Sequence, residues 1–254
     1  MKRLWQIEWL KINGYRTFWV FVGIFMLSTL IVYWTFDKFV QFGPANLAQV
    51  YQFPVAWYFV SYVTSWFTPF LTLLMINLVS NEISFRTLRQ HITDGMSPQE
   101  FLYSKVILAA VISIGAMIFA FLTGVIIGLT KGDLATSQNS FSMLDYLLRV
   151  FWNSFGLMTA GIMLALLLKR SAITIMVFLA WYWLVEPIIG RAWLESVYGY
   201  FPLNSLEEFV PSPFSTDPPS FGIRYTSLSE TLVALVYPLI FIGISLRLLK
   251  TRDL

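Results

Sequence analysis

The chain of 254 residues contains no cysteine and a single histidine, His91. The first absence excludes disulfides, thiol nucleophiles and cysteine-ligated metal sites. The second excludes an HExxH zinc motif. Every aspartate falls in a predicted loop or interface, so the paired membrane aspartates of an intramembrane protease are not available. The sequence also lacks a G-x-x-x-x-G-K-[ST] phosphate loop, whose glycines let backbone N–H groups surround phosphate oxygens. No polar segment is long enough to hold a nucleotide domain. Charge is scarce as well: Asp, Glu, Lys and Arg make up 12% of the chain, against about 25% in soluble domains. No catalytic residue, metal ligand or bound cofactor is therefore predicted.

What the chain has is apolar surface, with 57% of its residues in the hydrophobic set. A net charge of +3 would point to nucleic acid only if the basic residues formed a stripe on a folded face. They flank apolar runs instead, so membrane lipid rather than nucleic acid is the expected surrounding. Crossing a bilayer takes about 20 apolar residues at the helical rise. Six stretches qualify, near Phe18 to Phe36, Val55 to Val79, Val106 to Leu129, Tyr146 to Leu168, Ile173 to Ile189 and Leu232 to Leu249. The first is too long for a signal-peptide apolar region and lacks a small-residue cleavage site, so it is read as retained. Trp19, Trp34, Trp57, Tyr58, Trp181 and Trp183 crowd the predicted ends, as interfacial anchors do.

Charge counting sets the topology. With the amino terminus cytoplasmic, the inside segments hold Lys2, Arg3, Lys11, Arg16, Arg86, Arg89, Lys105, Lys169, Arg170, Arg247, Lys250 and Arg252, twelve of the seventeen basic residues. The outside segments hold Lys38, Lys131, Arg149, Arg191 and Arg224. Because Lys and Arg near span ends stay on the cytoplasmic side, both termini are expected there.

That places the stretch NEISFRTLRQHITDGMSPQEFLYSK, residues 81–105, in the cytoplasm. Phe85, Leu88 and Ile92 fall at helical spacing, with Arg86, Arg89 and Gln90 on other faces, which predicts a short amphipathic helix. Asp94-Gly95 supplies a stop, since glycine takes the left-handed conformation at a helix end without steric cost. Ser97-Pro98-Gln99-Glu100 then reads as a capping box with proline at the first helical position, opening a helix that runs through Lys105 into the third span. A well-capped connector without a partner satisfies the same grammar.

Glu82, the Thr87-Leu88 pair, Ser97 after a short turn and Lys105 before the next span resemble the cytoplasmic loop of type 2 ATP-binding-cassette (ABC) transporter permeases. Arg86 stands where many members carry glycine. The likeness extends over the chain as a whole, through a short amino-terminal helix, six spans and a long external segment before span six. The resemblance implies an all-α integral membrane protein forming one transmembrane domain, residues 1–254. It comprises an interfacial amphipathic helix at 1–16, a cytoplasmic coupling loop at 81–104 and external short helices at 190–228. It also implies that the loop docks on a separate ATPase subunit, which binds the ATP and magnesium. Phe85, Leu88 and Ile92 would make the apolar contact, Thr87 would lie beside them, and Glu82, Arg86 and Arg89 would supply charge at its rim. His91 is read as a solvated polar residue. A second permease subunit, identical or related, completes the assembly expected in a bacterial inner membrane.

Elsewhere, MKRLWQIEWLKINGYR has the apolar coverage broken by charge of a helix lying along the interface. Residues 190–228 are too aromatic for a linker and too proline-broken for a span. Within them Asn204 to Glu208 reads as a short capped helix, and Ser227 to Glu230 as the capping box opening span six. Polar residues inside spans are few. Glu186 is an ionisable group near the outer end of span five, either functional or at the headgroup level. Asn77, Asn153, Thr68, Ser65 and Ser154 either line a pathway or bond neighbouring helices, and Pro69 is placed to kink span two. A channel or structural subunit shares this profile, but a channel has no need of an ordered cytoplasmic plug. Scarce charge within the spans suits an amphipathic or hydrophobic cargo better than an ion.

Overall fold

In hydrocarbon a chain can satisfy its backbone N–H and C=O groups only internally, and the long apolar runs do so as helices. A computed structural model describes residues 12, 14–42, 50–84, 97–134, 140–216, 219–221 and 226–251. Six of its helical segments are long and apolar enough to cross a membrane. Span one is α1 (Arg16–Phe42). Span two is α2 (Val55–Trp66) and α3 (Thr68–Ser84), broken at Phe67. Spans three and four are α4 (Pro98–Thr130) and α5 (Asp145–Leu168). Span five joins α6 (Ser171–Ala180), a π-helical turn (Trp181–Val185) and α7 (Glu186–Trp193). A 3-10 turn (Glu195–Tyr200), the short α8 (Pro202–Glu207) and a hairpin of β1 (Phe214–Thr216) and β2 (Pro219–Phe221) precede α9 (Leu228–Thr251), which is span six. The hairpin pairs antiparallel with Phe214 opposite Phe221, and is the departure from helix among the described residues.

Both capping boxes form as the sequence predicts. Ser97 Oγ accepts from the Glu100 N–H at 3.2 Å while the Glu100 carboxylate accepts from the Ser97 N–H at 2.8 Å. Ser227 and Glu230 repeat the arrangement at 3.2 and 3.0 Å. Replacing Ser97 by alanine should cost about 1 kcal/mol, measured by equilibrium unfolding in mixed micelles, and Ser97→Asp should restore it. The caps also explain why α4 starts eight residues before the predicted apolar span, at Pro98 rather than Val106.

The bundle is organised around α5, which packs against α2, α3, α4 and α9. In its most apolar window 78% of the residues are buried, against 17, 22 and 28% for spans one, five and six, so those three form the outward-facing wall. One apolar cluster gathers Ile12, Val79, Phe101, Leu102, Leu166 and Leu249, which brings Ile12, the last turn of α9 and the helices flanking the loop together. A second at the far end contains Tyr51, Phe53, Trp57, Ile127 and Leu147. The third lies along α5 and includes Phe178, Tyr182, Leu203, Leu206 and Phe241.

The aromatic residues expected as anchors divide. Trp19, Trp34 and Trp183 are more than half exposed, as anchors require. Trp57 and Tyr58 are fully buried instead. Trp57 Nε1 donates to the Ser140 carbonyl at 2.7 Å, and the Tyr58 ring lies 4.7 Å from that of Tyr146. Their place near a span end matches the anchor pattern, but the packing of α2 against α4 and α5 encloses them.

Candidate functional site

The flanks of the polar loop are held by an ion pair. Glu82 lies in the last turn of α3 and Lys105 in the third turn of α4, and Lys105 Nζ donates to Glu82 Oε1 at 2.8 Å. Lys105 is 1% exposed, with its ammonium 5.4 Å from the centre of the Phe101 ring. A cation at such a position is costly unless an anion meets it, so the pair fixes the two helices to one another where the loop leaves and returns. Two further ties brace this neck. Ser84 Oγ donates to the Lys169 carbonyl at 3.2 Å, reaching the turn between α5 and α6. Asn81 Nδ2 donates to Tyr15 Oη at 2.9 Å and also to Asn77 Oδ1, while the Tyr15 hydroxyl donates to Asn77 Oδ1 at 3.2 Å. Span one therefore begins bonded to the lower part of span two.

Of the predicted partner contacts, Glu82 is described, and it is engaged within the chain. Phe85, Arg86, Thr87, Leu88, Arg89, His91 and Ile92 lie outside the described residues. Asn77, read as a pathway candidate, belongs to the Tyr15 cluster at the loop end. Sequence reasoning missed Tyr15 and Asn81, whose bond to one another spans 66 positions. It did not join Glu82 to Lys105 either, although a lysine embedded among Phe101, Leu102, Val106 and Leu108 is itself a signal that a carboxylate must face it.

The other two pathway candidates meet at α8. The first N–H groups of a helix need acceptors, and a carboxylate there also complements the helix dipole. Glu186, 3% exposed, provides both: its carboxylate accepts from the Leu203 N–H at 3.0 and 3.1 Å and from the Asn204 N–H at 2.7 Å. The π turn places it there. Pro187 has no N–H to give, and the wider turn, closed by the Glu186 N–H on the Trp181 carbonyl, accommodates it without breaking the span. At the opposite end of α8, Asn153 Nδ2 donates to the Leu206 carbonyl at 2.7 Å. Asn153 Oδ1 in turn accepts from the Thr68 hydroxyl at 2.8 Å, at the break in span two. Leu206 rests on Gly156 so closely that a Cβ there would stand 2.5 Å from Leu206 Cδ2. Leu203, Asn204, Ser205 and Leu206 are all buried.

The expected short helix thus exists with a different start and a different cap. It begins at Pro202, and the side chain of Asn204 donates to the Tyr198 carbonyl at 3.0 Å instead of capping. A local pattern could not reveal a cap supplied from span five. Among the described residues no three His, Asp or Glu side chains gather as metal ligands would. Both clusters position helices.

No curated protein and no solved structure matches the chain. The model of the ABC-2 family transporter proteins matches residues 4–184, from the amino terminus through the loop and its neck to the π turn of span five. With that match over well more than half of its length, and six apolar helices to carry it, the chain is a multi-pass membrane protein of permease type and belongs to the ABC-2 family of transporter proteins.

Proposed function

We propose that this chain is the membrane subunit of an ATP-driven transporter whose ATP and magnesium are bound by separate cytoplasmic subunits docking on residues 85–96. The observation that carries the reading is the neck: Glu82 and Lys105 rigidly join the two helices that hold the loop, within the stretch that matches the family. A push delivered to the loop then moves spans two and three together and is not dissipated in a slack connection. Charge supports the sidedness: the predicted topology assigns twelve of the seventeen basic residues to the segments that hold both termini and the loop, as cytoplasmic segments carry them. Residues 1–16 fit an interfacial helix beside the docking site, and the α7 to α9 segment an external cap. The outward walls of spans one, five and six suit lipid and a second permease subunit in a bacterial inner membrane. The cargo best suited to a bundle with few charges is amphipathic or hydrophobic, and the complex either moves it across the bilayer or uses the same stroke for mechanical work on a membrane assembly.

Phe85→Asp together with Leu88→Asp tests the docking. Co-purification with the ATPase subunit should be lost while membrane insertion and yield of the permease stay unchanged. Undiminished co-purification rejects the assignment of the loop.

A further inference from the structure

Thr68 stands where two demands meet. Its hydroxyl carries one hydrogen, yet Oγ1 lies 2.7 Å from the Ser65 carbonyl and 2.8 Å from Asn153 Oδ1. The Ser65 carbonyl would ordinarily receive the N–H four positions on, but that position is Pro69, which has none. At the break the Phe67 N–H is shared between the Thr64 and Ser65 carbonyls, and the Thr68 hydroxyl adds the donation to Ser65 that Pro69 cannot make, which is how span two tolerates its break. Asn153 makes the competing claim. Its amide cannot be turned round, because Nδ2 is the group that donates to the Leu206 carbonyl at 2.7 Å, and reversal would set oxygen against oxygen. One hydrogen does not satisfy both acceptors fully. Thr68 and Asn153 are 0 and 1% exposed, so water is poorly placed to make up the difference.

We propose that Thr68 is the switching residue of a latch through which the break in span two controls the seating of α8, with Asn153 and Glu186 as its positioning residues. When the Thr68 hydrogen favours Asn153, the amide is oriented and the carboxyl-terminal end of α8 is held, while Glu186 holds the amino-terminal end. When α3 shifts and the hydrogen turns wholly to Ser65, Asn153 loses its orienting bond and α8 is held at one end only. The purpose assigned to this latch rests on the permease reading, because α3 runs unbroken from Thr68 to Glu82, so a displaced neck reaches the latch directly. Glu186 and α8 lie beyond the residues that match the family, so the latch is a property read from this chain itself.

The chain has no cysteine, so a single introduced thiol reports without background. Ser205→Cys places a near-isosteric thiol on α8 at a position 2% exposed. The full chain in lipid nanodiscs, open to reagent from both faces, is treated with a water-soluble maleimide, and the modification rate is measured. The Ser205→Cys protein should react slowly, and so should its Thr68→Ser derivative, which keeps the hydroxyl. Thr68→Val and Glu186→Gln should each raise the rate about tenfold or more, the scale on which losing a buried hydrogen bond shifts a local opening. Asn153→Leu should do the same, and combining it with Thr68→Val should add little, because both remove one link. Equal rates for Thr68→Val and Thr68→Ser overturn the proposal. Ser113→Cys, on α4 and 0% exposed, reports general loosening. If Thr68→Val exposes that thiol too, Asn153→Leu decides in its place, and a Ser205→Cys rate left unchanged by it would equally overturn the latch. No ATPase is needed, so this result and the docking test succeed or fail separately.

Discussion

Glu82→Ala should destabilise the protein by about 3 to 5 kcal/mol, because it leaves the Lys105 ammonium buried without its carboxylate at 2.8 Å. Lys105→Ala should cost less, since Glu82 is 15% exposed and can recover part of its hydration, whereas Lys105 at 1% cannot. The contrast between these two single variants, read by equilibrium unfolding in mixed micelles, tests which partner carries the burial. Glu82→Leu combined with Lys105→Met separates stability from coupling. Replacing a buried pair with apolar groups of similar size is often neutral or favourable, so the double variant should unfold near the parent value. If the pair transmits force in the proposed transporter, that stable protein should still bind the proposed ATPase subunit and yet show transport reduced relative to ATP hydrolysed. A double variant with parental coupling would leave the pair a fold-stabilising contact alone.

The course of the chain is legible in the sequence wherever one physical requirement dominates locally. Six apolar runs must be helices because hydrocarbon offers no other partner for the backbone, and all six appear. Ser97-Pro98-Gln99-Glu100 and Ser227 to Glu230 make their caps within four residues, so proximity in sequence guarantees proximity in space. Pro69 foretold a disturbance of span two, but its form came from Thr68, whose hydroxyl stands in for the missing N–H. Illegible were the contacts between distant elements. Glu186 showed as an ionisable group that needed an explanation, and the explanation was a helix start seventeen residues later. Asn153 and Asn77 gave the same signal, yet one secures α8 and the other the start of span one, a difference set entirely by the depth at which each lies in the bundle. Trp57 misled for the same reason: a tryptophan near a span end looks alike whether lipid or protein covers it.

Trp57→Ala decides between those coverings by magnitude. An anchor at the interface loses little on truncation, but the Trp57 ring lies parallel to that of Phe121, with centroids 5.5 Å apart, and its Nε1 donates to the Ser140 carbonyl at 2.7 Å. Truncation empties a cavity between α2 and α4 and removes the donor from that carbonyl, so a loss of about 3 to 5 kcal/mol is expected in the same unfolding assay. Trp57→Phe should recover part of it by refilling the cavity, with the missing N–H accounting for a remainder of about 1 kcal/mol. Gly124 supplies an independent probe from the opposite side of the contact. A Cβ at that position would stand 2.5 Å from Trp57 Cζ3, in a ring held by the Phe121 stack and by its N–H, so Gly124→Ala should itself cost about 1 to 3 kcal/mol. In the background of Trp57→Ala the same substitution enters vacated space and should be neutral or favourable. That reversal of sign is available only to a ring packed on Gly124, and a lipid-facing tryptophan would show two small, additive effects.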